Sequence, residues 1–311
     1  MMIKILTPIC AALVLSGCIV HVGGAAAKAD KHETQQLAVS TAGLTSLDAN
    51  LGAGSLKVIG APNLSEIKVD ADIYTYDGSG YTFTLDTSGS TAKLIAETSS
   101  RSGNVWVVGN QSPRIDLVVY VPETMALDIN DGSGDIHIQG ITSHINIEDN
   151  SGGISINGGH NINIDDGSGD ININGGYAID IKDGSGSLDI SQAQGDIHIV
   201  DGSGDMKVHD TVGEIYIKDG SGSLNIKNAQ GNISINDGSG DLNVYRAQKN
   251  VEIEDDSGSI SVAKIAGKVT IEDGSGDIEV NHAGSLHISD AGSGSVSIDN
   301  IKGRISGDLN Q

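Results

Sequence analysis

Aromatic residues are scarce in this chain of 311 residues, which has one Phe, one Trp and seven Tyr. Aromatic rings supply much of the buried area of ordinary globular cores, so a large core of that kind is excluded. The aliphatic residues must instead be used economically and repeatedly. Cysteine is nearly missing too: only Cys10 and Cys18 occur, which leaves no disulfide framework to hold the fold. Positive charge is short, with 18 Lys and Arg against 41 Asp and Glu and a net charge of −23. Nucleic acid as a partner is excluded by that balance, because phosphates are held by Lys and Arg. The same balance argues against lying flat on an anionic bilayer. The apolar run Ile5 to Leu15 is too short to cross a bilayer, which takes about 20 residues.

Lys4 followed by that short apolar run reads as a secretory signal peptide. It ends in Leu15-Ser16-Gly17-Cys18, which resembles the lipobox of bacterial lipoproteins. The resemblance implies removal of residues 1–17 and diacylation, palmitate included, of Cys18. Ile19 stands where Asp would favour the inner membrane, so it implies an outer-membrane lipoprotein. Residues 18–36 show no strong period and read as a flexible tether. Residues 37–122 read as irregular β structure, with strand-like segments at Leu56/Val58, Ile67/Val69, Tyr81 to Thr84, Val105 to Val108 and Ile115 to Val121. This region is expected to cap one end of a stacked repeat, since such stacks need covered ends.

Residues 123–311 are that repeat. Ser-Gly recurs at Ser133, Ser151, Ser168, Ser185, Ser203, Ser221, Ser239, Ser257, Ser275 and Ser293, at spacings of 17 or 18 residues. A fixed period of this kind decides the architecture before any local feature does. Each unit carries two apolar-x-apolar pairs, such as Ile154/Ile156 after the Ser-Gly and Ile162/Ile164 about nine residues later. Alternation of this kind means strand, with one dry face and one wet face. Two such short strands cannot bury themselves, but stacked coils turn the same positions into continuous aliphatic ladders. The predicted fold is all-β: a parallel β-helix-like solenoid with coils of about 18 residues, each adding roughly 4.8 Å.

Two residues before each Ser stands an acid: Asp131, Asp149, Asp166, Asp183, Asp201, Asp219, Asp237, Asp255 and Asp273. Stacking places these carboxylates about 4.8 Å apart. The ladder has two readings. In the first, each Asp is a turn residue that accepts hydrogen bonds from turn amides, while Gly supplies the unusual backbone angles. In the second, Ca²⁺ neutralises the ladder, taking carboxylate and carbonyl oxygens. The motif departs from the calcium-binding nonapeptide repeat, and that mismatch favours the structural reading. The residue after each Ser-Gly alternates between acid and neutral: Asp135, Gly153, Asp170, Ser187, Asp205, Ser223, Asp241, Ser259, Asp277, Ser295. The alternation doubles the carboxylate spacing of that column and relieves its repulsion.

A catalytic site should interrupt a repeat, and no interruption falls between Asp131 and Ile301. The His residues are scattered, with His137, His198 and His287 at outward strand positions too far apart to share a metal. Acid pairs such as Asp165-Asp166 and Asp255-Asp256 could suggest glycoside chemistry, but they recur as turn elements with no aromatic platform beside them. No catalytic residue and no cofactor is therefore assigned, and a polysaccharide-acting enzyme ranks last.

The turns "SGDI" (Ser133 to Ile136, Ser168 to Ile171, Ser275 to Ile278), preceded by Val119 to Ile129, resemble the bacterial family of β-strand-repeat domains named "putative adhesin". The stretch "LGAGSLKVIGAPNLSEIKVDADI" also fits that family's first coil, and the similarity runs from about Leu37 to Leu309. The resemblance implies an exported, right-handed parallel solenoid, often linked to a membrane, with no catalytic residues to transfer. The expectation is a non-catalytic envelope lipoprotein, an adhesin or scaffold whose polar faces meet a surface polymer or protein receptor. The alternative is a Ca²⁺-binding solenoid held by its Asp ladder.

Overall fold

A computed structural model describes residues 29, 31–76, 79–99 and 112–309. Cys18, the signal segment and Val105 to Val108 lie outside the described residues. The described chain is all β, in two sheets of 14 strands each. One sheet holds the strands that run into each Asp-Gly-Ser-Gly turn, and the other holds the strands that leave it; we call them the entry and exit sheets.

Register follows the repeat. In the entry sheet Ile145, Ile162 and Ile179 stack in one column, and Ile147, Ile164 and Ile181 in the next. In the exit sheet Ile154 stacks on Ile171 and Ile156 on Ile173. These side chains are buried, none more than 2% exposed. Their alternation with polar neighbours puts one face of each strand inside and the other in water, because a one-residue slip would expose every Ile. Each buried aliphatic contributes about 1.5–3 kcal/mol, and only the neighbouring coils supply the burial. The corner between the exit strand and the next entry strand is narrow: Ala193, Thr211, Ala229, Ala247 and Ala283 fill it and are buried.

The N-terminal region stacks out of chain order. Strands Ser46–Leu51 and Leu56–Ala61 form a coil directly beneath Ala126–Asp131 and Ile136–Ile141, with parallel pairing. Beneath that coil lie Thr91–Ser99 and Arg114–Pro122, which come later in the sequence. Antiparallel strands end the stack: Gly80–Ser88 on Thr91–Ser99, Glu66–Thr75 on Arg114–Pro122, and Lys31–Ser40 on Glu66–Thr75. The expectation of a tether through residue 36 is corrected here. Lys31 to Gln36 are strand, paired with Thr75 to Asp70, and Gln36 Nε2 donates to Asp70 Oδ1. Their own pattern is too polar to signal a strand; the antiparallel partner decides it.

Candidate functional site

The nine aspartates before the Ser-Gly turns point inward. Each is the last residue of an entry strand and continues its alternation, as in Ile145-x-Ile147-x-Asp149, where all three named side chains are buried. They form a column through the solenoid, each no more than 5% exposed. The column begins above Leu51, which occupies the equivalent place in the coil below Asp131. It ends beneath the buried Ala291.

One carboxylate oxygen has a defined task. The Ser151 amide donates to Asp149 Oδ1 at 3.1 Å, and the same bond recurs from Ser168, Ser185, Ser203, Ser221, Ser239, Ser257 and Ser275. This is the Asx-turn geometry that the structural reading called for. The other oxygen, Oδ2, is buried without a hydrogen-bond partner in all nine residues. Asp131 has neither oxygen partnered, because the Ser133 amide donates instead to the Gly52 carbonyl.

Burial drives these carboxyls up from the usual 3.8. Asp131 is pushed to about 7 by burial and then by the charge of Asp149. Asp166, Asp183, Asp219 and Asp255 are each pushed to about 6, with burial the largest cause in each. Asp149, Asp201, Asp237 and Asp273 are raised for the same first reason. A carboxyl that gains a proton on Oδ2 loses its charge and its repulsion along the column, and gains a donor. Calcium fits this arrangement poorly. Ca²⁺ takes six to eight oxygens, whereas each inward Asp other than Asp131 offers one uncommitted oxygen beside a column of Ile. Among the described residues no three His, Cys, Asp or Glu side chains gather closely enough to hold a metal.

Glycine makes the turn stackable. Gly152, Gly169, Gly186, Gly204, Gly222, Gly240, Gly258 and Gly276 all have φ between 139° and 150°. In each, a Cβ would lie 1.7–1.9 Å from the carbonyl oxygen of the equivalent glycine one coil below. The close approach allows each glycine amide to bond the next coil's Ser carbonyl, as Gly204 N–H does to Ser221 at 2.9 Å.

The alternating acids outside the turn also have partners. Asp135, Asp170, Asp205, Asp241 and Asp277 accept the backbone amides of Gly153, Ser187, Ser223, Ser259 and Ser295 in the next coil. Each acid thus caps an amide that the strand ladder leaves over, and the neutral residue above keeps the next carboxylate a coil further away. Changing Ser187, Ser223 and Ser259 together to Asp is expected to lower the urea unfolding midpoint in low salt, with most of the loss recovered in about 0.5 M NaCl. An unchanged midpoint in low salt would count against repulsion as the reason for the alternation.

Beyond residue 123 the chain has three aromatic residues, Tyr177, Tyr216 and Tyr245, and all of them sit outside the core. Tyr216 stacks on His198 at 5.0 Å between centroids, and Tyr177 on His160 at 5.1 Å. Register adds an aromatic stack at a place the sequence reading did not single out, away from the acid pairs Asp165-Asp166 and Asp255-Asp256. Tyr216 is aligned with His198 and, one coil below that, Asp180, residues far apart in sequence. A groove of about 560 Å³ runs along the entry sheet's outer face from Asn161 to Ser234. A second depression of about 330 Å³ adjoins it and shares Tyr216 and Ser234. His137, His198 and His287 stand on separate coils, so the structure brings none of them together.

These stacked two-strand coils define a β-solenoid of the repeat class. Residues 74–227 and 194–305 match the Toastrack DUF4097 family model, together well over half of the chain, and the chain belongs to that family. Among solved structures, it is similar to a "putative cell adhesion protein" from Clostridium sporogenes ATCC 15579, with 13% identity, 86% of this chain and 99% of that one covered, and a TM-score of 0.29. It is also similar to a "putative adhesin" from Bacteroides fragilis NCTC 9343, with 14% identity, 86% and 97% coverage, and a TM-score of 0.28. No curated protein matches the chain.

Proposed function

We propose that this protein is a non-catalytic lipoprotein of the bacterial envelope, an adhesin or scaffold that holds a rigid polar rod away from the outer membrane. The observation that carries this reading is the unbroken stack itself. From Asp131 to Asp273 every coil keeps an aliphatic or Met side chain at the four inward strand positions and Asp at the turn, while the outward positions range over Asn, Asp, Ser, Lys, His, Glu and Tyr. A surface that varies over a constant core is suited to presenting contacts. The anchor rests on Leu15-Ser16-Gly17-Cys18 after the apolar run, since acyl chains supply membrane affinity that an acidic rod lacks. Cys18→Ser is expected to move the protein from the membrane fraction to the soluble fraction. Exposed Lys227 changed to Cys then reports the side. Labelling by an impermeant maleimide on intact cells supports adhesion, labelling only after the outer membrane is opened supports a periplasmic scaffold, and a membrane-bound Cys18→Ser protein overturns the anchor.

The nine unpartnered Oδ2 atoms are the one feature that favours a calcium-stabilised rod. Protonation removes their charge at acid pH, and at neutral pH the ladder still offers Ca²⁺ far fewer than the six to eight oxygens it takes. The expected outcome is therefore that about 5 mM Ca²⁺ and chelator leave the unfolding midpoint unchanged at pH 7, to within roughly the 0.5 kcal/mol resolved in such comparisons. A calcium-dependent rise reversed by chelator would replace the protonated ladder with a metal-bound one.

A further inference from the structure

The geometry points to a binding site for an uncharged polysaccharide along the outer face of the entry sheet, centred on Tyr216. This deepens the reading of the rod as a presenter of polar faces and rests on it for its setting, though binding itself is a property of the isolated chain.

Three observations meet there. The first is the ring. Tyr216 is 45% exposed in a solenoid whose core uses no aromatic beyond residue 123, so the fold gains nothing that requires it. One face is covered by His198. The other looks toward Ser234, the aligned residue of the next coil, whose small side chain leaves it open. An open tyrosine face is suited to the C–H face of a pyranose ring, because the sugar's axial hydrogens are weakly positive and the ring face is negative.

The second is the groove. It runs along successive coils from Asn161 to Ser234, and the second depression adjoins it across Tyr216 and Ser234, which line both. Adjacent coils are about 4.8 Å apart, so the groove spans several sugar units rather than one. An extended polymer fits a site built by repetition along one axis.

The third is the polar lining. Asp196 gives Oδ1 to the Glu214 amide at 2.8 Å, which fixes the carboxylate and leaves Oδ2 for a ligand. Asn232 donates to Glu214 Oε1 at 2.9 Å and accepts the Asn250 amide on Oδ1 at 3.3 Å, and Asn163 donates to Asn146 Oδ1 at 2.7 Å, so both side chains are held in place and Asn163 keeps its oxygen for a ligand. Fixed carboxylate and amide oxygens beside an aromatic face are the groups that accept sugar hydroxyls. Charge selects among sugars. Asp180, Asp196 and Glu214 line the groove with His198 as its only basic group, and the next depression adds Glu252 and Glu254 against Lys218. A uronate or phosphate polymer would be repelled.

The test is calorimetric titration of the soluble Cys18→Ser chain with cellohexaose, chitohexaose, maltohexaose and, as the charged comparison, hexagalacturonate. We expect saturable binding of at least one uncharged hexasaccharide below about 10 mM. Tyr216→Ala should weaken it at least tenfold, as should Ser234→Arg, which covers the open ring face. Tyr245→Ala, on the exit sheet, should leave it unchanged. The site is overturned if no uncharged hexasaccharide saturates, if both groove variants bind like the parent, or if hexagalacturonate binds equally well. Such a failure leaves the envelope reading standing, because fractionation and labelling test that reading separately.

Discussion

Replacing Gly204 by alanine is expected to cost roughly 4–5 kcal/mol or to prevent folding altogether. Two penalties coincide at this position. Its φ of 148° is a conformation open almost only to glycine. Its Cβ would also fall 1.7 Å from the Gly186 carbonyl oxygen, a backbone atom with nowhere to move. Relief would require the two coils to separate, breaking the hydrogen bond from the Gly186 N–H to the Ser203 carbonyl and loosening the Ile columns on either side. The nearby Gly202 makes the control. A Cβ there would approach the Gly184 carbonyl at 2.5 Å, but the equivalent places in two other coils are held by Asn150 and Asp256, so the backbone can adjust. Gly202→Asn is therefore expected to cost about 1 kcal/mol or less. Urea unfolding followed by far-ultraviolet circular dichroism reads both, and equal losses from the two variants would show that stacking of the Ser-Gly column is not what limits the fold.

Stability is expected to fall as pH rises from about 4 to 7, opposite to the trend of a protein held by ionised carboxylates. The ladder carboxyls bind protons more tightly folded than unfolded. Their contribution is complete below the unfolded value of 3.8 and is lost as pH passes through the folded values, about 6 for Asp166, Asp183, Asp219 and Asp255 and about 7 for Asp131. One unit corresponds to about 1.4 kcal/mol. Water reaching the turn screens part of that, so on the order of 1 kcal/mol per ladder residue is expected. Below pH 4 the trend reverses, because exposed carboxylates such as Asp277, held low by the Ser295 amide and hydroxyl, lose their bonds when protonated. The optimum should lie near pH 4. Asp183→Asn with Asp219→Asn keeps the Oδ1 acceptors and removes two charges, so it should stabilise the protein at pH 8 and flatten the profile. A loss of stability at pH 8 in that double variant would mean that the negative charge itself is needed.

The sequence carried the solenoid plainly, because Ser-Gly at Ser133 through Ser293 and the paired aliphatics repeat with little interruption. It carried less of the N-terminal end. The coil from Ser46 to Ala61 has its neighbours at Thr91–Ser99, Arg114–Pro122 and Ala126–Asp131, and no local pattern announces partners that distant. The inward turn of the aspartates was legible in principle. Ile145, Ile147 and Asp149 keep strict alternation, but an acid at a strand end reads first as a surface residue because burying one is costly. The Tyr216 groove was not legible, since its walls come from coils brought together only by stacking.

The inward aspartates are expected to form a largely neutral structural column near pH 5 rather than a row of anions or a cation site. Carboxyl ¹³C shifts of the folded protein, labelled at aspartate and titrated from pH 4 to pH 8, test this most directly. Asp166, Asp183, Asp219 and Asp255 should ionise with midpoints near 6 and Asp131 near 7, and the other four ladder carboxyls above the exposed aspartates. Ladder carboxyls already ionised at pH 5 would contradict a neutral column.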